Sequence, residues 1–395
     1  MKNILIAIRS IFKKGRHNVM KIVSLGIGLA VGLVLIAKVY FEQSYDDFYP
    51  DRDRVYQVWA KYQQNGGELK DYPQTSGGIA PTMQQQIPEI ETVTRYTSFG
   101  DWTFTMTDTK MKYSGRCIIA DSCFFDILPR PMLIGNAKEV LSTPMYVLIS
   151  SRIAKNIGGD VIGKNFTVDN SPGRTMTIGG VFEEVPENSH SRYDVIVSMA
   201  SAGRFMWEGS PTNMLGNDRY ISYVKLHKGV NPLALEEQVR TFVNSYFPPE
   251  EQQKVGLSID FSFHKLDNLH KELPQVKRMT WILSLLAFAL IFTAVMNYIL
   301  IVISSIVNRS KEVAVHKCYG ASENNIHGMM FGEALVHIVL SLILALLLIL
   351  AFRGTVEELL ATSLDSLLLS NGSLVLLGLC ILVFFVSGFM PGSLY

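Results

Sequence analysis

The sequence has little of what a catalytic or metal-binding protein needs. Its 395 residues include only four cysteines, which is too few for a disulfide framework, and their spacing matches no zinc site. The eight histidines are scattered along the chain, and none falls near both an acid and a Ser or Cys in a pattern typical of a catalytic set. We therefore predict a chain that is not an enzyme and that binds no cofactor or metal.

Charged residues are missing from long stretches of the chain. Residues 280–308 contain no Asp, Glu, Lys or Arg, and 48% of all residues are hydrophobic. The mean hydropathy of +0.21 is too high for a soluble protein of ordinary composition. Apolar runs at residues 22–37, 281–307, 329–352 and 373–390 approach or exceed the roughly 17–25 residues that cross a bilayer. The predicted fold class is a membrane protein with four transmembrane α-helices, one followed by three.

Acidic residues are also absent before Glu42, whereas basic residues precede the first apolar run at Lys2, Arg9, Lys13, Lys14, Arg16 and Lys21. By the positive-inside rule, this distribution places the N-terminus in the cytoplasm. A cleaved signal peptide is the alternative for the first run. That run ends in IAKVYFEQ, without a small-x-small cleavage site, which favours an uncleaved anchor.

The second apolar run is longer than the membrane requires. A continuous helix over 274–307 would extend roughly 50 Å, against ~30 Å of hydrocarbon, so its surplus should project outward as a stalk. The predicted segments are a cytoplasmic interfacial amphipathic helix (1–20), a first transmembrane helix (21–40), an extracytoplasmic domain (41–273), the stalk and second transmembrane helix (274–307), a cytoplasmic loop (308–328), a third transmembrane helix (329–352), a short external loop (353–372) and a fourth transmembrane helix (373–391). A basic flank that only sets topology is the alternative for the first segment.

The large extracytoplasmic domain is predicted to be α+β. Strand-like runs rich in β-branched and aromatic residues occur at 54–60, 103–106, 112–120, 146–150, 175–181, 194–198 and 220–226, and helical patterns at 79–86, 151–156 and 234–245. Cys117 and Cys123 both fall in this domain, and the sequence leaves open whether they are bonded.

The segment GGDVIGKN, residues 158–165, matches the phosphate-binding pattern G-x-x-x-x-G-K. However, Asn165 stands where a Ser or Thr must hold magnesium, and the segment follows a predicted helix instead of a strand. We interpret it as a turn between a helix and a strand.

Glu333 and His337 are ionisable residues within the third apolar run. They are four positions apart and therefore share one helical face. Ionisable residues at membrane depth are often functional, so a proton relay is one interpretation. The alternative, which we favour, is an interfacial position with Glu333 near Arg309 or Lys311.

The stretch NRSKEVAVHKCYGAS, which separates the second and third apolar runs, is compatible with helix. Gly320 can end one helix in a left-handed cap, and Ser322 can cap the next. Such a segment can be a topological stop signal or a docking element for a cytoplasmic partner.

This segment resembles the pattern R-x-x-E-[IV]-[GA]-[IV]-x-K-x-x-G-A-x-x-x-x-I of MacB/FtsX-type ABC transporter permeases, of a style common in Bacteroides-like bacteria. The matching residues are Arg309, Glu312, Val313, Ala314, Val315, Lys317, Gly320, Ala321 and Ile326. The Glu333-Ala334 pair is also similar to the family. Three external segments, IAPTMQQQIPEIE, ADSCFFDILPRPMLIG and GVFEEVPENSHSRYDV, resemble the periplasmic core domain of that family.

The resemblance implies a permease subunit in a bacterial inner membrane, with a MacB-like periplasmic domain and an N-terminus in the cytoplasm. A separate ABC ATPase would bind the cytoplasmic segment and drive the external domain, for efflux or envelope-related work. The residues implied in ATPase coupling are Arg309, Glu312, Val313, Ala314, Lys317, Gly320, Ala321 and Ile326. No nucleic acid is expected as a partner.

Two expectations remain open at this stage. The chain ends in FMPGSLY without a basic tail, so the expected partners include a second permease module or a second copy of this chain, and a periplasmic or outer-membrane protein. The alternative function is a membrane-anchored sensor with an extracytoplasmic ligand-binding domain and no ABC partner.

Overall fold

The structure, a computed structural model, describes residues 18–169, 171–216, 218–318, 323–369 and 371–393. Within these ranges the side chains of residues 304–317, 323–330, 333, 334 and 387–393, and of some single positions, are not described. The chain divides into two compact units. The head is Tyr45–His270, and the helical unit combines the residues before Tyr45 with those after His270. The predicted interfacial helix at 1–20 lies almost wholly outside the described residues.

Thirteen α-helices occur in the described residues. They are α1 (Asn18–Gln43), α2 (Ile79–Gln86), α3 (Phe124–Ile127), α4 (Ala137–Ser142), α5 (Ser151–Ile157), α6 (Glu236–Tyr246), α7 (Pro249–Val255), α8 (Leu266–Leu269), α9 (Pro274–Cys318), α10 (Glu323–Ala351), α11 (Arg353–Leu360), α12 (Leu364–Leu368) and α13 (Asn371–Ser393). Two 3-10 helices, Met199–Arg204 and Pro232–Leu235, lie in the head.

All strands of the described residues lie in the head. They are β1 (Val55–Gln64), β2 (Lys70–Tyr72), β3 (Ile90–Met106), β4 (Lys112–Ala120), β5 (Met132–Ile134), β6 (Tyr146–Ser150), β7 (Asn165–Val168), β8 (Ser171–Phe182), β9 (Val195–Ser198), β10 (Ile221–Leu226) and β11 (Leu257–Lys265). They form one sheet, in which nine strands follow the order β11-β1-β10-β3-β4-β9-β6-β8-β5, β2 pairs with β1, and β7 pairs with β3 and β8.

Half of this sheet closes into a six-stranded barrel. The strands β3, β4, β9, β6 and β8 are neighbours in the sheet, and β7 joins β8 back to β3. The first part of β3 pairs with β10 through residues such as Val93, whereas its last part pairs with β4 and with β7. A closed barrel leaves no free strand edge along its circumference.

Three apolar clusters fill the head. The barrel interior holds residues such as Phe104, Cys117 and Phe166. The open half of the sheet, which includes β11, β1 and β10, is covered on one face by α2 and α6, through Met83 and Phe242. The remaining cluster contains aromatic residues of α3, β3, β10 and the segment before β9: Phe124, Tyr96, Tyr223 and Tyr193. Their burial supplies the main driving force for folding.

The helical unit is built around α1. Its buried residues, among them Leu25 and Leu29, pack with Ala294 and Tyr298 of α9 and with Ile338 of α10. Val19–Gln43 and Pro274–Leu300 are long and apolar enough to cross a membrane. Leu335–Ala351 and Arg353–Leu360 together form a third candidate span that is bent by 69°. A shorter apolar helix covers Gly372–Val383.

The α+β character of the head is confirmed, and several element bounds agree closely with prediction. Helix α2 and strands β4 and β6 occupy the predicted residues. The predictions missed β2, β5, β7, β11 and the first part of β3. The segment at 158–165 lies between α5 and β7, where positive φ angles at Gly158 and Gly163 make the turn. Cys117 and Cys123 are both free, because Cys117 is enclosed in the barrel core.

Candidate functional site

The predicted coupling residues lie around the turn between α9 and α10. Arg309, Glu312, Val313, Ala314 and Lys317 belong to the last turns of α9, and Ile326 belongs to the first turn of α10; none of their side chains is among those described. Gly320 and Ala321 lie outside the described residues. Residues 308–318 therefore continue the preceding helix, and the segment predicted as a loop is mostly helical.

The structure places Glu333 and His337 one helical turn apart on α10. The Glu333 side chain is outside the described set, whereas His337 is buried. Four positions further along α10, Ser341 donates a hydrogen bond from its hydroxyl to the Ile22 carbonyl of α1, at 3.2 Å. Ser341 thus contacts α1, and His337 is buried within this part of the helical unit.

Glycines allow α1 to approach its two neighbours closely. A methyl group at Gly28 would overlap Ala294 Cβ of α9, and one at Gly32 would lie 2.7 Å from Ile291 Cγ1. Because Gly28 and Gly32 are four residues apart, they form one small-residue face, the GxxxG arrangement common between membrane helices. On another face, a methyl at Gly26 would lie 2.8 Å from Leu344 Cδ2 of α10. α1 is therefore wedged between α9 and α10.

A buried ion pair fixes the far end of α1. Lys38 Nζ lies 2.5 Å from Glu42 Oε1, with both side chains almost fully buried, and donates a hydrogen bond to Thr362 Oγ1 at 2.8 Å. Its ammonium also lies 5.1 Å from the centroid of the Phe41 ring. We name Lys38, Glu42 and Thr362 the clasp. The i,i+4 spacing of Lys38 and Glu42 was visible in the sequence, but their partner Thr362 was not.

The connection that carries Thr362 is itself braced. Arg353 lies 3.0 Å from Glu357 and 3.0 Å from Asp365. Glu357 also accepts a hydrogen bond from the Leu364 backbone N–H at 2.9 Å. These contacts fold α11 and α12 into one compact turn, so the clasp holds α1 to a defined structure.

The described contacts of the helical unit are mostly apolar. Among the described residues, no group of three His, Cys, Asp or Glu side chains could hold a metal. An apolar groove of about 470 Å³ lies between α1, the end of α10 and α11, lined by residues such as Val31, Ile349 and Leu359. The site is therefore best described as a set of packed helices with a polar clasp at one end.

A second polar cluster lies in the head, next to its first residues. Asp46 is 1% exposed, and it accepts hydrogen bonds from Ser189 Oγ at 3.0 Å and from the His190 backbone N–H at 3.1 Å. Burial raises the pKa of Asp46 to about 6, although these two hydrogen bonds and His270 act against the rise. Sequence reasoning missed this residue, because nothing in its local pattern signals burial.

Two families of known proteins match successive parts of the chain. Residues 20–242 match the family of the MacB-like periplasmic core domain, and residues 284–395 match the FtsX-like permease C-terminal family. No curated protein is significantly similar to the chain.

Solved structures are similar to about half of this chain. A domain of a permease protein from Porphyromonas gingivalis is 33% identical, with a TM-score of 0.51, and the match covers 55% of this chain and 91% of that chain. The periplasmic region of MacB from Actinobacillus actinomycetemcomitans is 16% identical, with a TM-score of 0.34, over 52% of this chain and 87% of that chain. The extracellular domain of the ABC-type transporter YknZ from Gram-positive bacteria is 11% identical, with a TM-score of 0.37, over 52% of this chain and 98% of that chain.

Proposed function

Because the chain belongs to the family of MacB/FtsX-type ABC transporter permeases, we propose that it transmits ATP-driven motion from a separate cytoplasmic ATPase to its extracytoplasmic head. In this proposal the chain hydrolyses no ATP itself. Its work is efflux or another task in the cell envelope, and its membrane is the bacterial inner membrane.

The observation that carries the proposal is the length of α9. This helix is unbroken over 45 residues, which corresponds to roughly 68 Å at 1.5 Å per residue. The hydrocarbon core is only ~30 Å thick. In the proposed arrangement, this one helix would run from Pro274, just after the end of the head at His270, through the membrane to the predicted docking residues near Cys318.

Packing of α1 supports the transmission of motion. Because Gly28 and Gly32 bring its backbone close to α9, a displacement of α9 must move α1 or break this contact. Packed cores switch between discrete arrangements and do not deform continuously. Since α1 leads directly into the first residue of the head, Tyr45, both chain segments that reach the head would move together.

We propose a topology of four crossings with the head outside. Two helices meet the requirements for a span outright, the bent pair gives a third, and the apolar helix at Gly372–Val383 supports a fourth. The basic residues before α1 favour a cytoplasmic N-terminus. The turn between α9 and α10 would then face the cytoplasm, where an ATPase is available.

The residues proposed to contact the ATPase are those of the family pattern: Arg309, Glu312, Val313, Ala314, Lys317, Gly320, Ala321 and Ile326. Gly320 would provide the backbone bend and Ala321 a close approach, and the charged residues would give specificity at the rim of the interface. A second permease module or a second copy of this chain would complete the transporter, and a periplasmic or outer-membrane protein is a further proposed partner.

Site-specific photo-crosslinking tests this function. A photo-crosslinking amino acid at position 312 should capture an ATPase that carries a P-loop, in membranes of the source organism. The same group at Lys228, an exposed position of the head, should capture none. Absence of an ATPase at every position from 309 to 317, together with an intact and inserted protein, would contradict the proposal and favour a sensor that has no ABC partner.

A further inference from the structure

The first and last residues of the head are in direct contact. Tyr45 and His270 stack with their ring centroids 3.4 Å apart and their planes within 6°. A second link between the same two segments is the ion pair of Arg52 Nε with Asp267 Oδ1, at 3.6 Å. Since Tyr45 follows α1 and His270 precedes α9 in the chain, the two segments that lead to the membrane helices are held side by side.

Asp46 follows Tyr45 in the chain, and its buried carboxyl group is incompletely hydrogen-bonded. Its φ angle is +59°, a left-handed conformation that Asp and Asn adopt more readily than most other residues apart from glycine. Its backbone N–H donates to the Asn188 carbonyl at 2.9 Å, and its Oδ1 accepts the hydrogen bonds of Ser189 and His190. Its Oδ2 is buried without a hydrogen-bond partner among the described residues.

The surroundings of Asp46 favour its neutral form. The ionisable groups that face it are His190, His270, Asp47, Tyr49, Tyr96, Tyr193 and Tyr223. Burial is the largest influence and raises the pKa of Asp46 to about 6. A carboxyl with a raised pKa stabilises the fold fully below its ordinary value of 3.8, and this contribution is lost as the pH rises through 6. Burial lowers the pKa of His190. The contribution of His190 to the stability of the fold therefore rises with pH, opposite to that of Asp46, over part of the same pH range.

We propose that Tyr45, Asp46 and His270 form a proton-responsive latch, which holds the two membrane-connected segments together when Asp46 is neutral and loosens them when it is ionised. The ionised carboxylate has one oxygen without a donor, and it can gain one only by opening the segment to water. A buried, incompletely paired charge drives such opening. The consequence for transport rests on the proposed function: a closed latch would move both segments as one, at a low pH outside the membrane.

Amide hydrogen exchange on the full-length chain in phospholipid nanodiscs tests the latch without any ATPase. Peptides covering residues 44–50 and 266–273 should lose about tenfold or more in protection between pH 5.0 and pH 7.5, after correction for intrinsic exchange, because each pH unit above the pKa favours the ionised form tenfold. Peptides from the barrel strand β6 provide the internal reference.

Asp46→Asn should abolish this pH dependence. Asn cannot ionise, tolerates a left-handed backbone and retains an oxygen for the donors of Ser189 and His190. Asp53→Asn, a neutralised carboxylate at an exposed neighbouring position, should keep the wild-type profile and serves as the matched control. If the Asp46→Asn variant and the wild type show the same pH profile, the latch is excluded.

A second variant covers the case in which Asp46→Asn fails to fold. Ser189→Ala removes a hydrogen bond that lowers the pKa of Asp46, so the midpoint of the exchange transition should move to a higher pH. An unchanged or lowered midpoint would overturn the latch. Because these measurements need no partner, a failure of the crosslinking experiment above would leave their outcome unaffected.

Discussion

Lys38 and Thr362 are joined by a hydrogen bond of 2.8 Å between ammonium and hydroxyl, although 324 positions separate them in the chain. Glu42 pairs with the same ammonium, so a positive and a negative charge are buried together. Removing one partner of a buried pair leaves the other charge uncompensated, whereas removing both does not. A single substitution in the clasp should therefore destabilise the protein more than the double substitution of both charged residues.

Lys38→Met should destabilise the protein by about 3–5 kcal/mol, because Glu42 is then buried without a counter-charge. The double substitution Lys38→Met with Glu42→Leu should recover most of that loss. Thermal unfolding in detergent, monitored by tryptophan fluorescence, ranks the stability of the wild type, the single variant and the double variant. A double variant that is no more stable than Lys38→Met would contradict the assignment of the pair as a buried unit.

Gly28→Ala should destabilise the helical unit by about 1–3 kcal/mol, the usual range for an overfilled core. The added methyl overlaps Ala294 Cβ, so Ala294→Gly in the same chain should restore part of the stability. Gly378→Ala in α13 is the matched control, since no described atom outside its own helix lies within 4 Å of a methyl there. The same thermal assay applies. Equal losses of stability for Gly28→Ala and Gly378→Ala would contradict the close packing of α1 against α9.

Lys317→Glu and Gly320→Val should leave membrane insertion intact and abolish stimulation of the partner ATPase. The first reverses a charge at the rim of the proposed interface, and the second removes the residue best suited to a sharp bend. ATP hydrolysis in reconstituted vesicles is the measurement. Lys228→Glu, the same charge reversal in the head, should stimulate like the wild type; full stimulation by Lys317→Glu as well would count against the docking assignment.

Arg95→Met should destabilise the head by about 3–5 kcal/mol. The guanidinium pairs with Asp121 at 3.2 Å and donates to the Gly77 and Pro211 carbonyls. Its loss leaves a carboxylate in a site whose burial already raises the pKa of Asp121. Thermal unfolding again measures the effect, and Arg116→Met, at an exposed position, should stay within about 0.5 kcal/mol of the wild type. Similar losses for the two variants would refute this account.

Prediction from sequence succeeded where a pattern is local. Short runs rich in β-branched and aromatic residues gave β4 and β6 their bounds, and consecutive residues of β6 and of the end of β4 are buried. The short strands β2, β5 and β7 carry too few residues for a pattern, whereas β11 alternates through Ile259 and Phe261 and offered a usable signal. Closure of the barrel through β7 depends on pairing between distant segments, which local propensity cannot predict.

The helix ends show a related limit. The sequence indicated an end for α9 near Val307, because charged residues begin at Arg309. The structure continues the helix to Cys318, since Lys, Arg and Glu are good helix formers and need no apolar surroundings. For the clasp and the latch, the sequence showed the charged residues but not their burial. Thr362 and Ser189 become partners of Lys38 and Asp46 only through the tertiary fold.

The length of strand β3 affects how easily the head can bend. Its 17 residues belong at one end to the open half of the sheet and at the other end to the barrel. The two halves therefore share this strand. A strand shared in this way resists bending between the two halves, because a bend would strain ladder hydrogen bonds on both sides. If the chain transmits motion as proposed, a pull on one half would reach the other, and the head would move as a single lever arm.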